Sequence, residues 1–181
     1  EQGPEHADRI IISSPVLSNS KMQQLRDVEK QRAGYGVADI DQNYVESEGL
    51  QAAISRICEE AAQAVRDGKT LIVLTDKNLR EGLLPANAAL ATGAVHHHLI
   101  QVGLRTDANI LVETGFARDP HQFAVLLGFG ATAVYPYLAY DVINDLVAKG
   151  ELLGDPIHAQ ANFRKGIEKG LLKVLSKMGI S

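Results

Sequence analysis

Two short apolar runs, TLIVLT at 70–75 and NILVET at 109–114, constrain the fold more than any other feature of this chain. Each is too short for a typical helix, lacks polar alternation, and opens into a polar loop, DKNLREG after the first and GFARD after the second. Strands without alternation are covered on both faces, as in parallel sheets whose crossovers lay helices against them. The intervening segments agree. Apolar residues recur at helical spacing through Leu50, Ala53, Ile54, Ile57, Cys58, Ala61 and Val65, and the run stops at Asp67-Gly68, where glycine is the usual residue past a helix. A second helix is expected to open at Pro85 and continue to Val102, and a third to begin with Asp119 as N-cap and Pro120 in its first turn. ATAVYPYLAY, 131–140, reads as the next strand. Strand, loop, helix and glycine-rich return, taken around twice, make this an α/β chain of parallel βαβ units, either a partial barrel or an open sheet.

The flanks are less regular. RIIISSPVLS, 9–18, reads as a short strand or extended segment, Lys21 to Gln31 as a helix, and GYGVADIDQNY, 34–44, as a strand. Near the other end KGELLGDP is a turn-rich connector, HAQANFRKGIEKG a helix, and LLKVLSKMGIS a short strand or helix turn, with a change of domain at Asp155-Pro156.

Charge and composition exclude several functions. The 181 residues carry 18 basic and 22 acidic side chains, a formal charge of -4, and no basic cluster interleaved with aromatics, so a nucleic-acid partner is not expected. No apolar run approaches the roughly 20 residues of a membrane span. The one cysteine, Cys58, leaves no internal disulfide and no multi-thiolate centre, which fits a reducing cytoplasm. It lies on a helix's apolar stripe and reads as a small buried hydrophobe. The first residue is Glu1, without a signal-peptide pattern, and KMGIS stops where a loop ought to begin; both suggest an excised piece of a longer polypeptide.

Three consecutive histidines, His96, His97 and His98, raise the question of a metal. Successive helical residues point about 100° apart, so these rings diverge, whereas helical metal ligands need i, i+4 spacing. His98 lies nearest the apolar stripe of Ala88, Ala91, Val95, Leu99 and Val102 and is expected to be partly buried and hydrogen-bonded. GFGATA, 128–133, follows a helix and precedes a strand, the reverse of a phosphate-binding glycine loop, and reads as a helix cap and return. The serines lack the strand-turn-helix context of a nucleophile elbow. Functional loops should sit at the carboxyl ends of the strands, in 76–82, 113–119 and 137–141, where Glu113 is the most suggestive acid. No catalytic residue and no metal ligand is assigned.

The run HHHLIQVGLRTDANILVETGFARDPHQFAVLLGFGATAVYPYLAY, 96–140, resembles the large subunit of bacterial glutamate synthase, in the later part of its central domain. GLQAAISRICEEAAQAVRDGKTLIVLTD upstream, NFRKGIEKGLLKVLSKMGIS downstream and SSPVLS near the start agree in the same order. Small departures exist: His121-Gln122 stands where the family commonly has two histidines, and Leu175 where methionine is usual. The resemblance implies that residues 1–155 are the C-terminal part of the central domain and 156–181 the beginning of the FMN-binding domain. It implies a parent enzyme that takes the amide nitrogen of glutamine, passes ammonia internally, condenses it with 2-oxoglutarate and reduces the product with electrons delivered through a 3Fe-4S cluster to FMN. The segment itself would be a connecting scaffold without a cofactor of its own. The thiol nucleophile expected at the parent's N-terminus is absent, position 1 being Glu1, and the cluster's cysteines are absent too. Met178, Gly179, Ile180 and Ser181 would contact FMN only in the full-length enzyme, at the end of the barrel's first strand. Expected partners are the remaining domains of the large subunit, with a small subunit or another electron donor. The competing expectation is a stand-alone α/β enzyme or phosphate-ligand binder using the strand-end loops, with Glu113 as acid or base.

Overall fold

The computed structural model describes residues 10–32 and 34–180. The two apolar runs are its central strands. Parallel strands β1 (Gly36–Asp41), β3 (Lys69–Thr75), β5 (Asn109–Glu113) and β6 (Ala133–Tyr135) lie side by side in that order. A short antiparallel ribbon of β2 (Asn43–Val45) and β4 (Leu83–Pro85) stands above their carboxyl ends, since Ala86 N–H donates to the Gln42 carbonyl. Beyond β6, Val134 N–H donates to the Pro15 carbonyl at 2.8 Å and Leu17 N–H to the Val134 carbonyl at 2.9 Å, so residues 15–17 run beside it as a bridge-length fifth strand. Among the described residues the sheet stays open, which decides between the two forms expected from the sequence.

The connections explain why both faces are covered. Helices α3 (Leu50–Arg66), α4 (Ala88–Gln101) and α5 (Pro120–Gly128) each step one strand further in the same direction, and crossovers of one hand that advance one way must share a face. There Ile57, Val95, Leu99, Phe123 and Leu126 meet Ile40, Ile72, Leu74, Ile110, Val112 and Val134. From residues 15–17 the chain returns across the whole sheet to β1 through α1 (Asn19–Arg26) and α2 (Val28–Gln31), and so lies on the opposite face. Met22, Leu25 and Val28 pack there against Leu71, Val73, Leu111, Ala133 and Tyr135. Because strand side chains alternate, Leu71 and Val73 pack on one side and Ile72 and Leu74 on the other, and this is why the run shows no polar period.

Helix α6 (Tyr137–Ala148) contributes Tyr140 and Ile143 to the α1 side, and α7 (Pro156–Met178) packs against α5 and α6. No helix among the described residues is long and apolar enough to cross a membrane.

Several local expectations change. Pro85 ends β4 instead of opening a helix; α4 starts three residues later, capped by Asn87, whose side-chain oxygen accepts from Ala89 and Leu90 N–H. ATAVYPYLAY is a strand only over Ala133–Tyr135, after which Pro136 caps α6. The helix expected over Lys21–Gln31 is two helices meeting at Asp27. LLKVLSKM is neither strand nor isolated turn: it continues α7 without a break. Of RIIISSPVLS, Arg9 lies outside the described residues; the remainder is extended and joins the sheet only at Val16.

Candidate functional site

The ladder hydrogen bonds continue one residue past the strands. Gln42 N–H donates to Thr75 O at 2.9 Å, Asp76 N–H to Glu113 O at 3.2 Å and Thr114 N–H to Tyr135 O at 3.1 Å. Two rows of side chains therefore stand across the carboxyl end of the sheet. Asp41, Thr75, Glu113 and Tyr135 are in register in the first. Gln42, Asp76 and Thr114 form the second, and by alternation the rows point to opposite faces.

The first row faces α1. Glu113 is 3% exposed, accepts from the Thr75 hydroxyl at 2.7 Å and from Arg26 Nη2 at 3.0 Å, and has Lys77 Nζ at 4.0 Å. Arg26 reaches outward with its other amino group to both oxygens of Asp39 at 2.6 Å. Burial depresses the Arg26 pKa, but the hydrogen bonds and charges of Asp39 and Glu113 outweigh it and hold the guanidinium above its ordinary value. Glu113, the acid singled out in the sequence, is thus the tie between α1 and the centre of the sheet. It does not cap α5, a role taken by Asp119, whose side chain accepts from Gln122 N–H.

In the second row Asp76 is 2% exposed and is satisfied by the Thr114 hydroxyl at 2.5 Å, Gly115 N–H at 3.0 Å and the Tyr137 hydroxyl at 2.8 Å. Burial, then the hydrogen bond to Asp76 and the charges of Asp76, Glu113 and Asp141, push the Tyr137 hydroxyl well above its ordinary pKa, so it stays a donor at neutral pH. Tyr135 is raised in the same sense, by burial first and then by Glu113 and Asp141. This is also the place where the topology opens. The loop after β5 leads to α5 on one face, whereas β6 passes through Pro136 into α6 on the other, and such divergence is where open α/β sheets commonly hold ligands.

Chemically, the cluster is closed. Both carboxylates accept from protein donors, and the tyrosine is protonated. Lys77, half exposed, sits 4.0 Å from Glu113 with its ammonium 5.7 Å from the Tyr137 ring centroid. The hydroxyls of Thr75, Thr114 and Tyr137 each donate to one of these carboxylates, so both acids are engaged by protein groups. Arg26, Asp76, Thr114 and Tyr137 had no assigned role in the sequence. The usable signal was the repeated polar pair at the strand ends, Thr75-Asp76 and Glu113-Thr114, which the parallel register places side by side.

The rings of His96 and His97 meet edge to face, with centroids 5.3 Å apart, while His98 faces Glu59. His96 Nδ1 accepts from Arg105 Nε at 2.9 Å, and His97 is exposed. His98 is partly buried, but it lacks the expected hydrogen bond, its Nε2 lying 3.6 Å from Glu59 Oε1. Arg105 also donates to the carbonyls of Ala108 and Gly130, so the hydrogen-bonded member of the run is His96, in a clamp at the amino ends of the strands. Cys58 is buried, and burial, with a smaller contribution from Glu59, pushes its thiol pKa up, away from thiolate chemistry. GFGATA forms the cap of α5 and the return into β6, with Gly130 at φ +116°.

Met178, Gly179 and Ile180 do not end a strand. They close α7, Gly179 being left-handed at φ 70°, with its N–H on Ser176 O and Ile180 N–H on Leu175 O. This cap engages the backbone donors of Gly179 and Ile180. Ser181 lies outside the described residues.

Comparison with known proteins agrees with this geometry. The sequence matches the family description "glutamate synthase central domain" over residues 1–181. The chain belongs to that family. Similar glutamate synthases include the chloroplastic ferredoxin-dependent enzyme of Oryza sativa subsp. japonica, 40% identical over 195 residues covering 100% of this chain and 12% of the rice protein. The NADPH enzyme's large chain from Azospirillum brasilense is 41% identical over 174 residues, 94% of this chain and 11% of that protein. That from Bacillus subtilis is 38% identical over 173 residues, 96% and 11% respectively. The chain thus spans only a small part of the glutamate synthases it matches.

Proposed function

We propose that this segment is the connecting scaffold of a glutamate synthase, which forms L-glutamate from glutamine and 2-oxoglutarate by reductive transfer of the amide nitrogen. The observation that carries this reading is the closed strand-end cluster. At the position where a stand-alone α/β enzyme would offer its catalytic groups, Glu113 and Asp76 are instead occupied by Arg26, Thr75, Thr114, Gly115 and Tyr137. Such a network fixes α1, α6 and the β5 loop to one sheet end and makes that end rigid. Rigidity is what a scaffold between two reaction sites must supply, because ångström-scale misplacement of reacting groups lowers rates strongly.

In this reading the segment's partners are the remaining domains of the same polypeptide, with a small subunit or another electron donor engaging the parent. FMN and the 3Fe-4S cluster belong to other parts, where they would supply the electrons that reduce the imine of ammonia and 2-oxoglutarate to glutamate. Contact of Met178, Gly179 and Ile180 with FMN would first require the cap of α7 to open. A cytoplasmic setting is proposed, although the rice relative is chloroplastic. Assaying the purified 181-residue chain tests the scaffold reading: neither glutamine hydrolysis nor glutamate formation should exceed a buffer blank, and turnover that survives repurification would overturn it.

A further inference from the structure

Gln42 is fully buried, and both its amide nitrogen and its amide oxygen lack a hydrogen-bond partner. A buried amide is ordinarily satisfied, because leaving a polar group dry and unpaired costs about 1–3 kcal/mol. Its place in the fold indicates what completes it. The ladder sets Gln42 beside Asp76, and Asp76 beside Thr114, on the face covered by α3, α4 and α5, two residues beyond Ile40, Leu74 and Val112 of that core. Gln42 makes no direct hydrogen bond to its neighbour in the row, and side chains that start about 4.8 Å apart on neighbouring strands are within the reach of one bridging water. Asp76 receives three donors, the Gly115 N–H being shared between its two oxygens at 3.0 and 3.2 Å, and each carboxylate oxygen can accept more than one hydrogen bond. The chain entering α4 beside this row is built from small residues, Ala86 and Ala88, both buried in the same core cluster.

We infer that Gln42 and Asp76 hold an internal water site, at which at least one ordered water accepts from Gln42 Nε2 and donates to Asp76. The ligand must both accept from Gln42 Nε2 and donate to Asp76. The Asp76 carboxylate repels an anion, while the donating face of the Gln42 amide repels a cation. The site stands apart from the scaffold reading, since it concerns how the sheet end is satisfied whatever the parent does.

A crystal structure of the full-length polypeptide carrying this segment, at a resolution that shows ordered solvent, tests it together with the Gln42→Leu variant. A solvent peak within hydrogen-bond distance of Gln42 and Asp76, lost in Gln42→Leu, is expected. Density in which both Gln42 amide atoms bond directly to protein with no solvent peak would overturn the inference, as would a peak that persists unchanged in the variant. The wild-type map decides the question even if the variant fails to fold.

Discussion

Replacing Arg26 by methionine should cost far more than its position on a surface helix suggests. The side chain makes two contacts of opposite kind. Its 2.6 Å pair with Asp39 is the shorter, but Asp39's side chain is 51% exposed, so water and salt screen the interaction and it contributes about 0–1 kcal/mol. Its 3.0 Å pair with Glu113 is longer, yet the Glu113 side chain is 4% exposed. Removing Arg26 leaves that carboxylate buried with only the Thr75 hydroxyl at 2.7 Å and Lys77 at 4.0 Å. Breaking one side of a buried pair costs about 3–5 kcal/mol, a large share of the roughly 5–15 kcal/mol that holds a domain together. With a urea m value of about 2 kcal/mol/M, the unfolding midpoint should fall by about 1.5–2.5 M at unchanged slope. Asp39→Asn should move it by less than about 0.5 M. Neutralising the stranded acid should recover part of the loss, so Arg26→Met/Glu113→Gln should be more stable than Arg26→Met alone. A midpoint for Arg26→Met within error of Asp39→Asn would refute the claim that burial of Glu113, and not contact distance, sets the strength of this tie.

Three further outcomes follow from other parts of the structure. Burial first, then the charges of Arg105 and His97, lower the His96 pKa in the fold, so the unfolded chain binds the extra proton more readily. His96 therefore contributes stability that is complete above its unfolded pKa of about 6.5 and is lost as pH falls through the lower folded value; melts from pH 8 to pH 5 should lose this component in His96→Gln. Asn87→Ala removes the acceptor for Ala89 and Leu90 N–H and should cost about 1 kcal/mol, seen as a melting shift of about 2–4 °C. Gly130→Ala should destabilise by about 2 kcal/mol or more in denaturant titration, because φ is +116° and the new methyl would meet the His96 ring that Arg105 holds.

Much of the architecture was legible because burial on both faces writes itself into the sequence. TLIVLT and NILVET could be placed as central parallel strands from composition alone, and the Leu50 helix from its stripe. The failures have local causes. In LLKVLSKM the preceding Gly170 looks like a helix end, but the glycine is required by packing: a Cβ there would run into the ring of Pro120, where α7 crosses α5. ATAVYPYLAY is rich in strand-forming residues, yet beyond Pro136 its residues fall at helical intervals, with Tyr137 and Tyr140 packing inward. Tertiary contacts override propensity in both places. The strand-end cluster was half visible. Glu113 stood out as an acid after an apolar run, whereas Arg26 lies 87 residues away in sequence and nothing local announces the pairing. Asp76 drew attention only as the start of a loop, because its role depends on register with Thr114.

The most direct test of the scaffold account measures coupling in the full-length enzyme carrying Arg26→Met. Glutamine consumed and glutamate formed are counted in the same reaction, beside glutamine hydrolysis alone and glutamate formation from added ammonia. A scaffold that holds two sites in register predicts that each half-reaction keeps most of its rate while the yield of glutamate per glutamine consumed falls. Unchanged yield in a variant whose sheet end is measurably loosened would contradict the account, as would loss of one half-reaction with the other and the yield intact.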